Sequence, residues 1–300
     1  MRLFSAEAKE IVSDRLGCPA SPLFLAAAMV LAQNPGPRPR IQFVEVEPGV
    51  HLEVVDWGGK GRPVVLLAGL GETAHVYDQF APKLTDAYYV YGITRRGFGA
   101  SSVPRFGYTA ARLAHDVLRV LEALKLDRAV LVGHSVAGEE LSTIGARHSD
   151  RIAGLIYLDA AGDRTYSSPK EIQDRAAKMG FVGQPKAVAG EFDPAHEVRA
   201  GVQKPDYGRI RVPALAFYPV SRSWQELMPG SPEITDPERR ALAEQVLADV
   251  ARVRKLMAEA FRSGVANSRV VELPGAGHYV FRTNEADVLR EMRIFLEGLN

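Results

Sequence analysis

The chain has 300 residues, 46% of them hydrophobic, and carries 37 basic residues against 36 acidic ones. That length suits one large α/β domain or two small domains, and the balanced charge argues against a nucleic-acid or anionic-membrane partner. A single cysteine, Cys18, excludes an intramolecular disulfide and a cysteine-based metal site; the seven histidines lack close ligand spacing, so neither metal nor cofactor is expected.

Taken in chain order, the first feature is the apolar run from Pro22 to Ala32, ahead of Gln33. It resembles a secretory h-region ending in a small-residue cleavage site at about residue 32. It is too short to span a bilayer, which needs roughly 20 apolar residues. The first 20 residues are long and mixed in charge for a leader, with Glu7, Glu10 and Asp14 offsetting Arg2, Lys9 and Arg15. A translation start inside this stretch would account for that. The reading is a periplasmic or secreted protein; the alternative is a cytoplasmic one whose N-terminal helix packs on the domain. A Pro-rich linker, Gln33–Arg40, closes this N-terminal segment (1–40), and the folded domain is expected over 41–300.

Alternation of apolar and polar residues over Ile41–Val46 and Leu52–Trp57, around Pro48-Gly49, predicts an antiparallel hairpin. Pro63–Ala68 is a continuous apolar run, as in a strand buried on both faces. A helix at 74–84, a strand Tyr88–Ile93 and a helix Tyr108–Leu126 are expected next. Strands Ala129–Gly133, Gly154–Leu158, Val212–Tyr218 and Arg269–Leu273 follow, with a last helix from about 285 to 298. Short apolar strands alternating with helices imply a parallel sheet covered on both faces. A long helix at 237–263 carries Leu242, Val246, Val250, Val253, Met257 and Phe261 at steps of three and four, a core stripe. Between about 162 and 210 the pattern breaks at Pro169, Gly180, Pro185, Gly190 and Pro194. That insertion is expected to form a small helical lid, with Phe181, Val182, Val188, Phe192 and Val202 giving it a partly apolar underside.

The chemistry centres on Gly133-His-Ser-Val-Ala-Gly138, between a buried strand and a helix. Small residues on both sides of Ser135 permit the sharp turn of a nucleophile elbow, which exposes the serine hydroxyl. Ala137 stands where a second glycine is usual, and Gly138 comes one residue later. A serine needs a base within hydrogen-bond reach. His278, in the Gly-rich Pro274-Gly-Ala-Gly-His278 loop after the last strand, is the candidate; the loop is read as a flexible tip. His134 is assigned to packing beside the elbow, and His75 to a pocket lining. Backbone N–H groups of Val136 and of Leu70, in the glycine loop Ala68-Gly-Leu-Gly71, are the expected oxyanion donors. That loop lacks the spacing and the Gly-Lys-Ser/Thr ending of a phosphate-binding loop.

With these motifs, and Arg96-Gly-Phe-Gly-Ala-Ser101 after the fourth strand, the chain resembles the α/β-hydrolase superfamily from about residue 41 to its end, closest to bacterial serine esterase-like members with a small helical cap. The resemblance implies an eight-stranded, mostly parallel sheet and a Ser–acid–His triad. A serine at 135 argues against the epoxide-hydrolase and haloalkane-dehalogenase branches, which use aspartate there. The chain departs from the family pattern in the turn after Val212–Tyr218, where most members carry the acid: no carboxylate occurs before Glu226. Asp159, ending the preceding strand, is the leading candidate. Glu226 and Asp163 are alternatives, as is one of Glu139 and Glu140; those two also suit a helix N-terminus.

The expected function is a cofactor-free serine hydrolase acting on a small to medium carboxylic ester through an acyl-enzyme, with a small-molecule substrate and no nucleic-acid partner. Amide, peptide or carbon–carbon bond hydrolysis on the same triad is the alternative. A different class, a non-hydrolytic ligand-binding or lyase member of the fold, stays open because the usual acid is missing.

Overall fold

β1 (Arg40–Glu47) and β2 (Val50–Gly59) form an antiparallel hairpin, longer at both ends than the alternation predicts, turning at Gly49 with φ 77°. β3 (Pro63–Leu67) and β4 (Tyr89–Ile93) then pair in parallel. α1 (Ala110–Ala123), β5 (Ala129–His134), α2 (Gly138–Arg147) and β6 (Ile152–Leu158) follow. The helices α3 (Lys170–Lys178) and α4 (Pro194–Ala200) form the cap before β7 (Ala214–Val220). A short α5 (Trp224–Leu227), the long α6 (Pro237–Gly264), β8 (Ser268–Pro274), a one-turn α7 (Val280–Thr283) and α8 (Glu285–Glu297) complete the order. This computed structural model describes residues 38–166, 169–179 and 191–299. The expected leader, Cys18, residues 33–37 of the linker, and Phe181, Val182 and Val188 of the cap lie outside the described residues.

All eight strands join one sheet in the order β1-β2-β4-β3-β5-β6-β7-β8, and every pairing from β4 onward is parallel. Leaving β3 the chain steps to β4 on one side and then to β5 on the other. That reversal opens a crevice at the carboxyl ends of β3 and β5, where open α/β sheets bind ligands. β5 and β6 are buried along their whole length, as their unbroken apolar runs require. One core cluster, including Leu131, Leu141, Tyr157 and Phe261, and a second, including Val132, Phe80, Phe217 and Phe281, hold alternate residues of the same strands.

Two expectations change. The helix predicted over 74–84 is a pair of 3₁₀ turns, Ala74–Tyr77 and Ala81–Leu84; Pro82 has no N–H to continue a helix and sits instead at the start of the second turn, after Ala81. The stripe on α6 is core only in part: Val246 and Phe261 are buried, whereas Leu242, Val250, Val253 and Met257 are half-buried. Cavities of ≈ 340 and ≈ 300 Å³ flank this helix, with Val250 lining the first and Val253 and Met257 the second. Among the described residues no helix is long and apolar enough to cross a membrane, and no cluster of His, Cys, Asp and Glu is placed to hold a metal ion.

Candidate active site

Ser135 follows β5 directly and has φ 55°, in the left-handed region that side chains other than glycine rarely adopt. Such a backbone costs on the order of 1 kcal/mol and persists where the surroundings enforce it. They do so here by close packing. A Cβ on Gly138 would lie 1.9 Å from the carbonyl oxygen of Ala160, so glycine is obligatory there. At Gly133 the neighbours are side chains: an added Cβ would meet Leu141 Cδ1 at 2.9 Å and Ala137 Cβ at 3.0 Å. The displaced glycine of the motif is thus fixed by Ala160, and Ala137 fits because Gly133 opposite it has no side chain.

Asp159 comes one residue after β6 and is likewise left-handed, with φ 47°; its N–H donates to Phe217 O at 3.0 Å. The side chain turns toward the C-terminal loop, where its Oδ2 lies 2.6 Å from His278 Nδ1. Burial pushes the Asp159 carboxyl up, but the His278 hydrogen bond and the charges of Arg254 and Arg164 outweigh it and hold the carboxyl below the usual range. The alternative acids are occupied elsewhere. Glu226 accepts from Arg222 N–H at 2.6 Å, closing a local turn, and Asp163 accepts from the Thr165 N–H at 2.9 Å. Neither hydrogen-bonds His278. Glu140 is tied to Arg95 at 2.6 Å, and Glu139 accepts from Gln203 N–H at 2.9 Å. Burial raises Glu139 to about 7 against the opposing pull of that N–H and of Arg164.

The His278 loop is pinned rather than a free tip. Ala276 O accepts from Ser221 Oγ at 2.9 Å, Gly277 N–H donates to Thr283 Oγ1 at 3.3 Å, and Gly275 N–H donates to Val220 O at 2.9 Å. His134 is buried, with its ring centroid 4.5 Å from that of His278 and its Nε2 3.2 Å from the His278 carbonyl oxygen. Burial lowers its proton affinity, with Glu72 opposing. It therefore packs beneath the loop and anchors it. His75 is held between two carboxylates: its Nδ1 is 3.0 Å from Asp78 Oδ2 and its Nε2 is 3.5 Å from Glu53 Oε1. The His278 side chain remains 40% exposed, so its other nitrogen can be reached from the cleft. Ser135 Oγ has no hydrogen-bond partner among the described residues.

Three arginines that no sequence pattern flagged surround this constellation. Arg254 on α6 donates to Asp159 Oδ2 at 3.0 Å, Arg164 donates to Ser135 O at 2.7 Å, and Arg95 donates to Ala68 O at 3.1 Å and Gly69 O at 3.3 Å. Each partner is 26 to 95 positions away along the chain, so local spacing carries no signal for the contact. The side chains of Leu70 and Val136, whose N–H groups are the expected oxyanion donors, join one apolar cluster with Phe98, Tyr108, Phe192 and Val198. The last two belong to the cap, which brings an apolar wall over the elbow.

A family model described as alpha/beta hydrolase fold matches residues 62–203. The chain is 24% identical over 263 residues to a 2-(acetamidomethylene)succinate hydrolase of Mesorhizobium japonicum, spanning 80% of this chain and 90% of that protein. It is 30% identical over 201 residues to a bifunctional esterase/perhydrolase of Acinetobacter calcoaceticus, spanning 63% of this chain and 69% of that one. Among solved structures, an E-2-(acetamidomethylene)succinate hydrolase has the same fold, with a TM-score of 0.61 at 18% identity, covering 87% of this chain and 100% of the other.

Proposed function

The chain belongs to the α/β-hydrolase superfamily, and we propose that within it this protein is a serine hydrolase cleaving small to medium carboxylic esters through an acyl-enzyme. One observation carries the reading: the His278–Asp159 pair, at 2.6 Å, is held on loops at the same sheet edge as the strained Ser135 elbow. With Nδ1–H donated to Asp159, His278 keeps Nε2 free as the base. Ser135 attacks the ester carbonyl as Nε2 takes its proton, and the charge on the carbonyl oxygen is met by the N–H groups of Val136 and Leu70. The imidazolium, stabilised by Asp159, then protonates the departing alcohol. Water repeats the cycle on the acyl-enzyme. Leu70 N–H donates to no acceptor among the described residues, which leaves it available for this role.

The apolar cluster of Leu70, Phe98, Val136, Phe192 and Val198 supports an apolar acyl group of modest size. The relatives named for hydrolysing an acetamidomethylene succinate and for esterase and perhydrolase activity are compatible with acyl transfer on the same machinery. An export signal in residues 1–32 remains our reading for location, making this a periplasmic or secreted enzyme.

The experiment is fluorophosphonate labelling with turnover of p-nitrophenyl acetate, butyrate and octanoate. Labelling of the wild type, none of Ser135→Ala, and fastest turnover on the short chains is the expected result. An unlabelled wild type inactive on all three esters would sink the ester reading, and matched amides would then be tried.

A further inference from the structure

The two peptide units expected to supply the oxyanion N–H groups share a feature on their opposite edges. In a planar trans peptide the N–H of one residue points away from the C=O of the residue before it. The Leu70 N–H therefore points away from the Gly69 carbonyl, and the Val136 N–H away from the Ser135 carbonyl. Each of those two carbonyls accepts a hydrogen bond from an arginine: Gly69 O from Arg95 Nη1 at 3.3 Å, and Ser135 O from Arg164 Nη2 at 2.7 Å. Arg95 is 6% exposed, holds Ala68 O as well at 3.1 Å, and is itself clamped by Glu140 at 2.6 Å. Arg164 also reaches Ala160 O at 3.4 Å, and its Nε lies 4.0 Å from Glu139 Oε1.

We propose that Arg95 and Arg164 are positioning residues for the oxyanion hole, each gripping the carbonyl of one donor peptide so that its N–H is fixed toward, and strengthened for, the developing oxyanion. Two physical effects act together. A guanidinium on the carbonyl stops the peptide from rotating, so the donor is aimed before the reaction begins. A cation at the carbonyl oxygen also draws electron density from the amide nitrogen, and in a site of low dielectric the linked hydrogen bonds reinforce one another. Both arginines grip from behind: the protein's carbonyl lies between each of them and the N–H that would meet substrate. Their geometry is supplied from separate elements. Arg95 follows β4 and is locked to the first turn of α2 through Glu140, whereas Arg164 sits where the chain leaves β6 for the cap. The position of the cap's first residues is thereby coupled to the elbow peptide.

This rests on the serine-hydrolase reading, and the test separates the two. Steady-state turnover of p-nitrophenyl butyrate is compared with the affinity for a butyl trifluoromethyl ketone, which forms an oxyanion on Ser135, and for butyrate, which does not. Arg164→Met is expected to lower kcat by roughly 10- to 100-fold, a part of the loss seen when a whole oxyanion donor is removed. KM and butyrate affinity should stay within about twofold while trifluoromethyl ketone affinity falls in step with kcat, because only the charged adduct uses the donor. Arg164→Lys keeps the cation and should recover part of both losses. Because Arg95→Met alone strands the buried Glu140, it is combined with Glu140→Gln, and the melting curve is recorded for each variant. Unchanged kcat, or a fall in kcat with ketone affinity intact, overturns the proposal. If instead the wild type resists fluorophosphonate or Ser135→Ala keeps its turnover, the serine-hydrolase reading is what fails.

Discussion

Arg254 and His278 bind the same carboxylate oxygen, Asp159 Oδ2, at 3.0 and 2.6 Å. The arginine comes from α6, and its Nη1 lies 3.4 Å from Ser221 Oγ, whose hydroxyl in turn holds the His278 loop at Ala276. A cation on that oxygen helps to hold the Asp159 carboxyl down and competes with the protonated His278 for its charge. Removing it weakens that hold, so the Asp159 carboxyl takes up a proton at higher pH than in the wild type. Because the mechanism uses Asp159 as a carboxylate, Arg254→Met is expected to move the acid limb of kcat/KM to higher pH. Arg254→Lys should leave the limb in place. A pH–rate profile from pH 5 to 9 reads both.

Asp159→Asn keeps the shape of the side chain but offers an amide to Nδ1. The imidazole then loses both the charge that stabilises its protonated form and the preference for the Nδ1–H tautomer. A fall in kcat of roughly 10³- to 10⁴-fold is expected with the fold intact, measured by ester turnover beside circular dichroism. Loss of Glu226 or Asp163, which close local turns, should leave turnover within a few-fold of wild type.

Gly138→Ala tests the packing that shapes the elbow. Its Cβ would be 1.9 Å from Ala160 O, a backbone atom two residues past β6 that cannot yield without moving Asp159 next to it. Destabilisation of about 2 kcal/mol or more is expected in urea melts, with activity lost even where the variant folds.

Glu139 gives a stability test with a definite sign. Its carboxyl, raised by burial to about 7 from an ordinary 4.5, binds a proton more tightly in the folded protein than in the unfolded chain. That contribution is fully present below the unfolded value and is lost as pH rises through about 7. Glu139→Gln keeps an oxygen to accept from Gln203 N–H and removes the titration. At pH 8 the variant should be more stable than wild type by about 1–3 kcal/mol, with the difference shrinking toward pH 5. Thermal melts at the two pH values check this.

The parts legible in the sequence share one property: they are set by neighbours within a few positions. The period-two hairpin, the unbroken apolar strands, and Ser135 flanked by Gly133 and Ala137 all depend on local sterics and burial. Local rules failed where the deciding contact was local but unrecognised, as at Pro82, which divided an expected helix into two 3₁₀ turns. They also failed where it was distant. His134 looked like packing and nothing more, yet it also binds the His278 carbonyl across 144 positions. The polar side of α6 carried no pattern that would single out Arg254 among its many charged residues.

The amino-acid sequence by itself determined the succession of strands along the chain and the small-residue turn around Ser135, and it singled out Ser135 and His278 as candidates for nucleophile and base. Hydrophobic period and small-residue spacing are properties of the chain alone. Which carboxylate meets His278 was decided only by the tertiary structure. Glu226, Asp163 and Asp159 have the same chemistry, and what separates them is a through-space distance of 2.6 Å across 119 positions. The same is true of Arg95, Arg164 and Arg254, whose hydrogen bonds come into being only once the sheet has brought the ends of β3, β5, β6 and β7 side by side.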